Sequence, residues 1–212
     1  LSKFEHHEAW YKELNSSGIV PCLLVDGRPL VESNFINEWI DETFPDPPLM
    51  PADPFERHEV RLWGKFVDDK CLYAIQKFNW MHRFHPIARE WSDEELERRL
   101  AAIPTEERRK TWYRMARDPY NEEELDVARK VLFGMLDEID TRVDTTGFVV
   151  GNRYSLADIA AAPYAVRVEN IWPEAYDARP SAKRWWNEVK NRPAYARAEF
   201  GSYDELAARD QE

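Results

Sequence analysis

The stretch Gly18-Ile19-Val20-Pro21-Cys22-Leu23-Leu24-Val25-Asp26-Gly27-Arg28-Pro29-Leu30-Val31-Glu32-Ser33-Asn34 decides the fold of the N-terminal part of this chain. The apolar run after Val20-Pro21 and the return at Leu30-Val31 predict two short strands. Asp26-Gly27 between them predicts a hairpin turn, because glycine tolerates the positive φ that primed turns need. We expect Ser33 to be the N-cap of the helix that follows, since its hydroxyl can accept from the first free amides.

The same stretch contains groups that can bind a small charged peptide. A proline after Val20 at the start of a strand is a candidate cis bond, which would turn the Val20 amide and carbonyl outward as an open edge. The helix N-terminus and the Ser33 hydroxyl can bind a carboxylate, and the Glu32 carboxylate can accept from an ammonium group. Val20, Pro21, Glu32 and Ser33 together suit the γ-glutamyl end of glutathione. The alternative is an ordinary hairpin followed by an ordinary capped helix.

Val20-Pro21 followed by Glu32-Ser33 resembles the glutathione-site signature of the glutathione transferases. The resemblance continues through the proline-rich segment 44–54, the Ser155/Asp158 pair and Arg192-Pro193-Ala194, and it covers nearly the whole chain. It implies an α+β fold in which an incomplete thioredoxin-like domain precedes an all-α C-terminal domain. The boundaries that we expect are 1–46 for the first domain, 47–54 for the linker and 55–212 for the helical domain.

The resemblance also gives a role to the N-terminal residues. Many glutathione transferases have a His or Gln at the position of His6 that contacts the glycine end of glutathione. The alternative is that His6 and His7 are two exposed loop histidines. They are too few ligands for a metal site, so no metal is expected.

We expect further residues upstream of Leu1, because a two-stranded sheet alone is marginal in water and a βαβ unit needs ~30 or more residues. The family has its thiol-activating Ser, Cys or Tyr in that part, so no catalytic residue is assigned.

The composition narrows the partners and the compartment. A formal net charge of −11 over 212 residues argues against nucleic acid and anionic membranes as partners. No apolar run approaches the ~18–20 residues of a membrane span. Two cysteines, Cys22 and Cys71, provide no disulfide framework and fit a reducing cytoplasm. Cys22 could be interpreted as a nucleophile, but we favour a small buried side chain in a strand.

Apolar residues at helical spacing predict helices over most of the remaining chain. Ser155 and Asp158 form an acidic capping box, whose loss is expected to cost about 0.5–2 kcal/mol. The charged tail from Ser202 is expected to fray. We also expect a capping box at Ser92-Asp93-Glu94-Glu95 to open a short helix and Asn121-Glu122-Glu123-Glu124 to cap a long one. The predicted helices are 34–43, 55 to about 84, the short one after Ser92, another after Thr105, 121 to about 143, one after Ser155, and 180–191.

Within the family, segments 4–15, 51–57 and 92–118 resemble bacterial β-etherases that cleave lignin-derived aryl ethers. This resemblance implies that glutathione thiolate displaces a phenolate from the carbon that bears the ether oxygen, leaving a glutathione thioether. Four aromatic residues at helix ends suit a hydrophobic two-ring substrate, although each could equally serve core or dimer packing. They are Trp80, Phe84, Trp112 and Tyr113.

Two alternatives stay open at this point. One is a glutathione transferase that acts on another class of substrate. The other is a non-catalytic binding or partner subunit with the same fold, since folds host unrelated activities. In each case we expect a homodimer or a heterodimer.

Overall fold

The computed structural model of the chain describes residues 5–103 and 105–198. A 3₁₀ turn, Glu5–His7, leads into helix α1 (Ala9–Leu14), and a hairpin of β1 (Cys22–Val25) and β2 (Arg28–Val31) follows. The strands are antiparallel with Val25 opposite Arg28, so Asp26 and Gly27 form a two-residue turn. Their φ angles of 48° and 77° are those that a primed turn requires, which confirms the predicted hairpin.

Helix α2 (Ser33–Thr43) begins directly after the hairpin, and here the predicted N-cap is wrong. Glu32 is the N-cap, with φ 67° and ψ 109°, and Ser33 is the first helical residue. The physical reason is the length of the connection. Only Glu32 separates β2 from α2, so this one residue makes the whole change of direction and leaves no room for an extended Ser33.

The segment between α2 and the next helix is rich in proline and contains no helix or strand. It is tied to α2 by Asp41, whose buried carboxylate accepts from the backbone N–H of Leu49 at 2.6 Å and of Met50 at 3.0 Å. The peptide bonds Val20-Pro21 and Asp46-Pro47 are cis. The first of these was predicted and the second was not.

The predicted helix from Phe55 to Phe84 is present, but two π-helical turns interrupt its α-helical hydrogen bonding. Its N-cap is Asp53, whose carboxylate accepts from the amides of Phe55 and Glu56. The parts in order are α3 (Pro54–Phe66), a π turn (Val67–Cys71), α4 (Leu72–Asn79), a second π turn (Trp80–Phe84) and α5 (His85–Ala88). The apolar spacing predicted the helix and its inward face but not these local changes of pitch.

The described residues of the second half of the chain form helices joined by turns and loops, and two capping boxes start two of these helices. The reciprocal hydrogen bonds of Ser155 with Asp158 are present, as predicted, and Asn121, predicted as a cap, forms the same pair of bonds with Glu124. The helices are α6 (Asp93–Ala102), α7 (Glu106–Arg117), α8 (Glu122–Thr146), α9 (Leu156–Ile171), α10 (Pro180–Lys190) and α11 (Pro193–Arg197), with a 3₁₀ turn at Pro173–Tyr176.

Two apolar clusters hold these helices together. The larger one is contributed by α3, α4, α8, α9 and α10 and includes Trp185 and Trp186. The smaller one lies where α5, α6 and α7 meet and is centred on Trp112 and Met115. Within the described ranges, no helix combines the length and the apolar character needed to cross a bilayer. The tail from Ser202 lies outside the described residues.

Candidate functional site

The site is built around the start of β1, where the backbone of Val20 is open. The side chain of Val20 is exposed, and its amide and carbonyl form no hydrogen bond within the described part of the chain. The cis bond to Pro21 follows immediately. An extended peptide can therefore pair with Val20 as an additional strand, forming main-chain hydrogen bonds with both the amide and the carbonyl of Val20.

Glu32 and Ser33 follow β2 at the end of the hairpin where Val20 and Pro21 precede β1. Cys22 pairs with Val31, so Pro21 and Glu32 are the next residues of the two strands, and Ser33 begins α2 directly after Glu32. Glu32 and Ser33 are both exposed. Glu32 has a positive φ, which a non-glycine residue adopts at a cost of order 1–3 kcal/mol and which is concentrated at functional sites. Ser33 offers a hydroxyl and a first-turn N–H that has no partner in the helix.

Residues of the N-terminal segment hold Gly18 and Ile19, which lead into Val20. The Tyr11 hydroxyl and the Asn15 side-chain amide both donate to the Ile19 carbonyl, at 2.8 and 2.7 Å. Gly18 has φ 61°, and a Cβ at this position would lie 3.1 Å from the carbonyl oxygen of His6. A glycine is required here, and the close approach brings His6 against the segment that leads into Val20.

His6 also contacts a residue that the sequence reasoning missed. The Nη1 atom of Arg108, in α7, lies 3.2 Å from Nε2 of His6 and 3.2 Å from Nε2 of His7. A guanidinium group can only donate, so both imidazoles accept through Nε2 and carry their proton on Nδ1. Burial, together with His7 and Arg108, lowers the pKa of His6 to about 4. Burial and Arg108 also lower the pKa of His7. Both rings are therefore neutral at neutral pH.

Arg108 could have been found from its helical position. It lies one turn before Trp112, and residues four apart share one face of a helix. A cation on the apolar face of an amphipathic helix is the signal, because such a group needs a partner from another element. The sequence alone does not identify that element, because His6 and Arg108 are 102 residues apart.

Three of the four predicted aromatic residues come together. Trp80, Phe84 and Trp112 have ring centroids 4.8 to 5.2 Å apart. The sequence reasoning missed Trp91, which stacks on Trp112. Tyr113 is 51% exposed and makes no ring contact with this cluster within the described ranges.

A cavity of about 250 Å³ lies between His7 and two rings of the aromatic cluster, Trp91 and Trp112. His7 and Glu8 line one side of it, and Trp91, Ile103 and Trp112 line the other. Of the predicted substrate residues only Trp112 lines this cavity, and of the N-terminal histidines only His7, the neighbour of His6, does so.

Comparisons with known proteins identify the family of the chain. Residues 2–43 match the family described as "Glutathione S-transferase, N-terminal domain", and residues 104–193 match "Glutathione S-transferase, C-terminal domain". The chain is 32% identical over 203 residues to "Protein LigF" of Sphingobium sp. (strain NBRC 103272 / SYK-6), covering 91% of this chain and 78% of that protein. It is 28% identical over 196 residues to a "Probable glutathione S-transferase" of Nicotiana tabacum, covering 89% and 69%.

The fold agrees as well. The crystal structure of the β-etherase LigF from Sphingobium sp. strain SYK-6 superposes with a TM-score of 0.82 at 31% identity, covering 92% of this chain and 84% of that one. This confirms the predicted α+β fold, with a thioredoxin-like N-terminal part and an all-α C-terminal part. The chain belongs to the glutathione S-transferase family, whose members use glutathione as co-substrate.

Proposed function

We propose that this protein is a glutathione-dependent β-etherase that cleaves β-aryl ethers of the kind derived from lignin. The observation that carries the proposal is the similarity to the β-etherase LigF, which extends over nine-tenths of this chain in both sequence and structure. The open edge at Val20 and the cavity beside Trp112 support it with a binding place for each reactant.

In this proposal glutathione binds through its backbone and its charged ends. Its extended backbone pairs with Val20 next to Pro21. The γ-glutamyl carboxylate accepts from the N–H and hydroxyl of Ser33 at the start of α2, where the helix dipole favours an anion. The γ-glutamyl ammonium donates to Glu32, and His6 lies toward the glycine end.

The reaction is a substitution at carbon. The glutathione thiolate attacks the carbon that bears the ether oxygen, so a C–S bond forms as the C–O bond breaks. The phenolate leaves with the bonding electron pair and takes up a proton from solvent. Holding the thiol beside the bound ether replaces a bimolecular encounter with a positioned one, which is a large source of rate enhancement.

We assign residues 1–46 to glutathione binding, 47–54 to the linker and 55–212 to the domain that covers the aromatic substrate. Trp80, Phe84 and Trp112 would form an aromatic wall, since stacked and edge-to-face rings recognise aromatic ligands. Tyr113 was predicted with them and lies outside their cluster. A substitution of Tyr113 therefore serves as a control for substitutions of the three clustered residues.

We also propose that the protein pairs with a second copy or with a related chain, and that it works in the cytoplasm. Large apolar side chains exposed on α2 and α3 support the pairing, since such surfaces mark interaction sites. They are Phe35 at 69%, Phe55 at 83% and Leu62 at 48% exposure. The free thiols of Cys22 and Cys71 are typical of a reducing compartment.

Two measurements test the proposal. Titration calorimetry with glutathione is expected to give binding that is weakened in Glu32→Ala/Ser33→Ala and unchanged in Glu94→Ala, which removes an exposed glutamate at the start of α6. Unchanged binding in the double variant would contradict the site. The enzyme is also expected to release a fluorescent phenol from a β-aryl ether only when glutathione is present. Conjugation of a halo-aromatic compound without phenol release would contradict the etherase activity but would still support a glutathione transferase activity.

A further inference from the structure

We propose that Arg108 of the C-terminal domain binds the glycine carboxylate of glutathione, so that the helical domain completes the glutathione site. This inference rests on the proposed glutathione site and adds a residue to it. Three observations support it. They are the position of Arg108, the hydrogen bonds of its guanidinium group, of which one edge has no described partner, and the charges of glutathione.

Arg108 is a half-buried cation. Within residues 5–103 and 105–198 no carboxylate lies at ion-pair distance from it, whereas four other arginines of α6 and α7 each bind one. Arg99 binds Glu95, and Arg114 forms a double hydrogen bond with Glu124 at 2.8 Å. An exposed arginine without a described carboxylate partner, such as Arg28, is solvated by water, whereas Arg108 is partly shielded from water. A half-buried charge of this kind is stabilised when a ligand supplies the missing anion.

The histidines do not neutralise this charge but fix its orientation. Both accept from the same atom, Nη1, and both are neutral. The remaining edge of the guanidinium group, formed by Nε and Nη2, makes no hydrogen bond to a described residue. This edge holds two parallel donors in the spacing that matches the two oxygens of a carboxylate.

Glutathione has two carboxylates, and the predicted site provides a group of positive character, the N-terminus of α2, for only one of them. Its γ-glutamyl carboxylate is assigned to Ser33 and its ammonium to Glu32, so the glycine carboxylate is left for the His6 end. His6 alone cannot supply a positive charge there, because its pKa of about 4 keeps the ring neutral. Arg108 is bonded to His6, and the His6 carbonyl lies against Gly18, two residues before Val20. His6 therefore links the cation to the segment that leads into Val20.

The test compares glutathione with its glycine monoethyl ester, which lacks this carboxylate charge and carries an ethyl group in its place. Calorimetry is done without any second substrate. If Arg108 bound an acidic second substrate instead of glutathione, the two ligands would then bind equally well. We expect wild-type protein to bind glutathione at least about tenfold more tightly than the ester, as befits a hydrogen-bonded charge pair. Arg108→Met is expected to lose this preference by weakening only glutathione, and Arg108→Lys to keep part of it.

Two further variants make the result specific. Lys110→Met removes a cation from the exposed face of the same helix, where Lys110 pairs with Glu106, and is expected to leave the preference unchanged. Glu32→Ala/Ser33→Ala is expected to weaken both ligands equally and so keep their ratio. Circular dichroism of each variant checks that it is folded.

The outcomes separate the inference from the proposed function. Equal binding of the two ligands by wild-type protein, or equal weakening of both by Arg108→Met, would overturn the role of Arg108 while the Glu32 and Ser33 result still supports the site. Absence of glutathione binding by the wild-type protein would overturn both.

Discussion

The indole N–H of Trp185 donates to the carboxylate of Asp158 at 2.8 Å and thereby joins helix α10 to the first turn of helix α9. The same carboxylate accepts from the amides of Val149 and Ser155 and from the Ser155 hydroxyl. Asp158 is fully buried, and burial raises its pKa against the opposing effect of these hydrogen bonds. The Asp158 side chain thus connects α9, α10 and the turn that precedes α9.

Replacing Asp158 with Ala is expected to lower the free energy of unfolding by about 3 kcal/mol or more, because it leaves three buried N–H donors without an acceptor. Ser155→Ala removes only part of the box and is expected to cost about 0.5–2 kcal/mol. Urea unfolding followed by circular dichroism measures both. A smaller loss for Asp158→Ala than for Ser155→Ala would contradict the central role of the carboxylate.

Asp41 is expected to stabilise the connection between α2 and the linker. Asp41→Ala removes the acceptor of two backbone amides, of which the Met50 amide is buried, and should cost about 2 kcal/mol. Limited proteolysis within 44–53 should become faster in the same variant. Glu42→Ala, at the exposed neighbouring position, is the control and is expected to change stability by about 0.5 kcal/mol or less. Equal proteolysis rates in the two variants would count against this role of Asp41.

Trp112 is expected to be part of the core in addition to lining the cavity. It is 6% exposed at the centre of the smaller apolar cluster, so Trp112→Ala should cost about 3–5 kcal/mol of unfolding free energy. Tyr113→Ala should change stability by about 0.5 kcal/mol or less, because its ring is exposed. If Trp112 served substrate binding alone, the two variants would unfold at the same urea concentration.

His6 is expected to make stability depend on pH. The pKa of His6 is about 4 in the folded chain against 6.5 for an ordinary histidine, so the unfolded chain binds more protons between these values. Stability should therefore fall as the pH is lowered from 6.5 toward 4. The urea midpoint of His6→Gln should fall less steeply over pH 6.5 to 5.5, a range in which ordinary carboxylates are still largely ionised. Parallel curves for the two proteins would contradict the assignment.

Local signals predicted well wherever one short segment contains all the interacting groups. The turn at Asp26-Gly27 and the capping boxes at Asn121 and Ser155 are of this kind, because the residues that interact are at most three apart. The box predicted at Ser92 formed only in part. Ser92 accepts from the amide of Glu95, but the Glu95 carboxylate binds two arginines of its own helix instead.

Features that depend on tertiary structure were not predicted. Glu32 became the N-cap because a strand and a helix meet within one residue, which composition does not reveal. Arg108 reaches His6 only after the helical domain has folded against the N-terminal segment. Trp91 joined the aromatic cluster for the same reason, since its partner Trp112 lies on another helix.

The π turn at Val67–Cys71 has a consequence for insertions and deletions. A π turn contains one residue more than an α turn, so it absorbs an extra residue while the flanking helices keep their orientation. Loss of one residue there would convert it to a regular turn and leave the inward face of α4 in place. The same loss in the middle of α8 would rotate everything beyond it by about 100° and turn apolar side chains toward water. Relatives of this chain can therefore differ in length by one residue at this point and keep the same core.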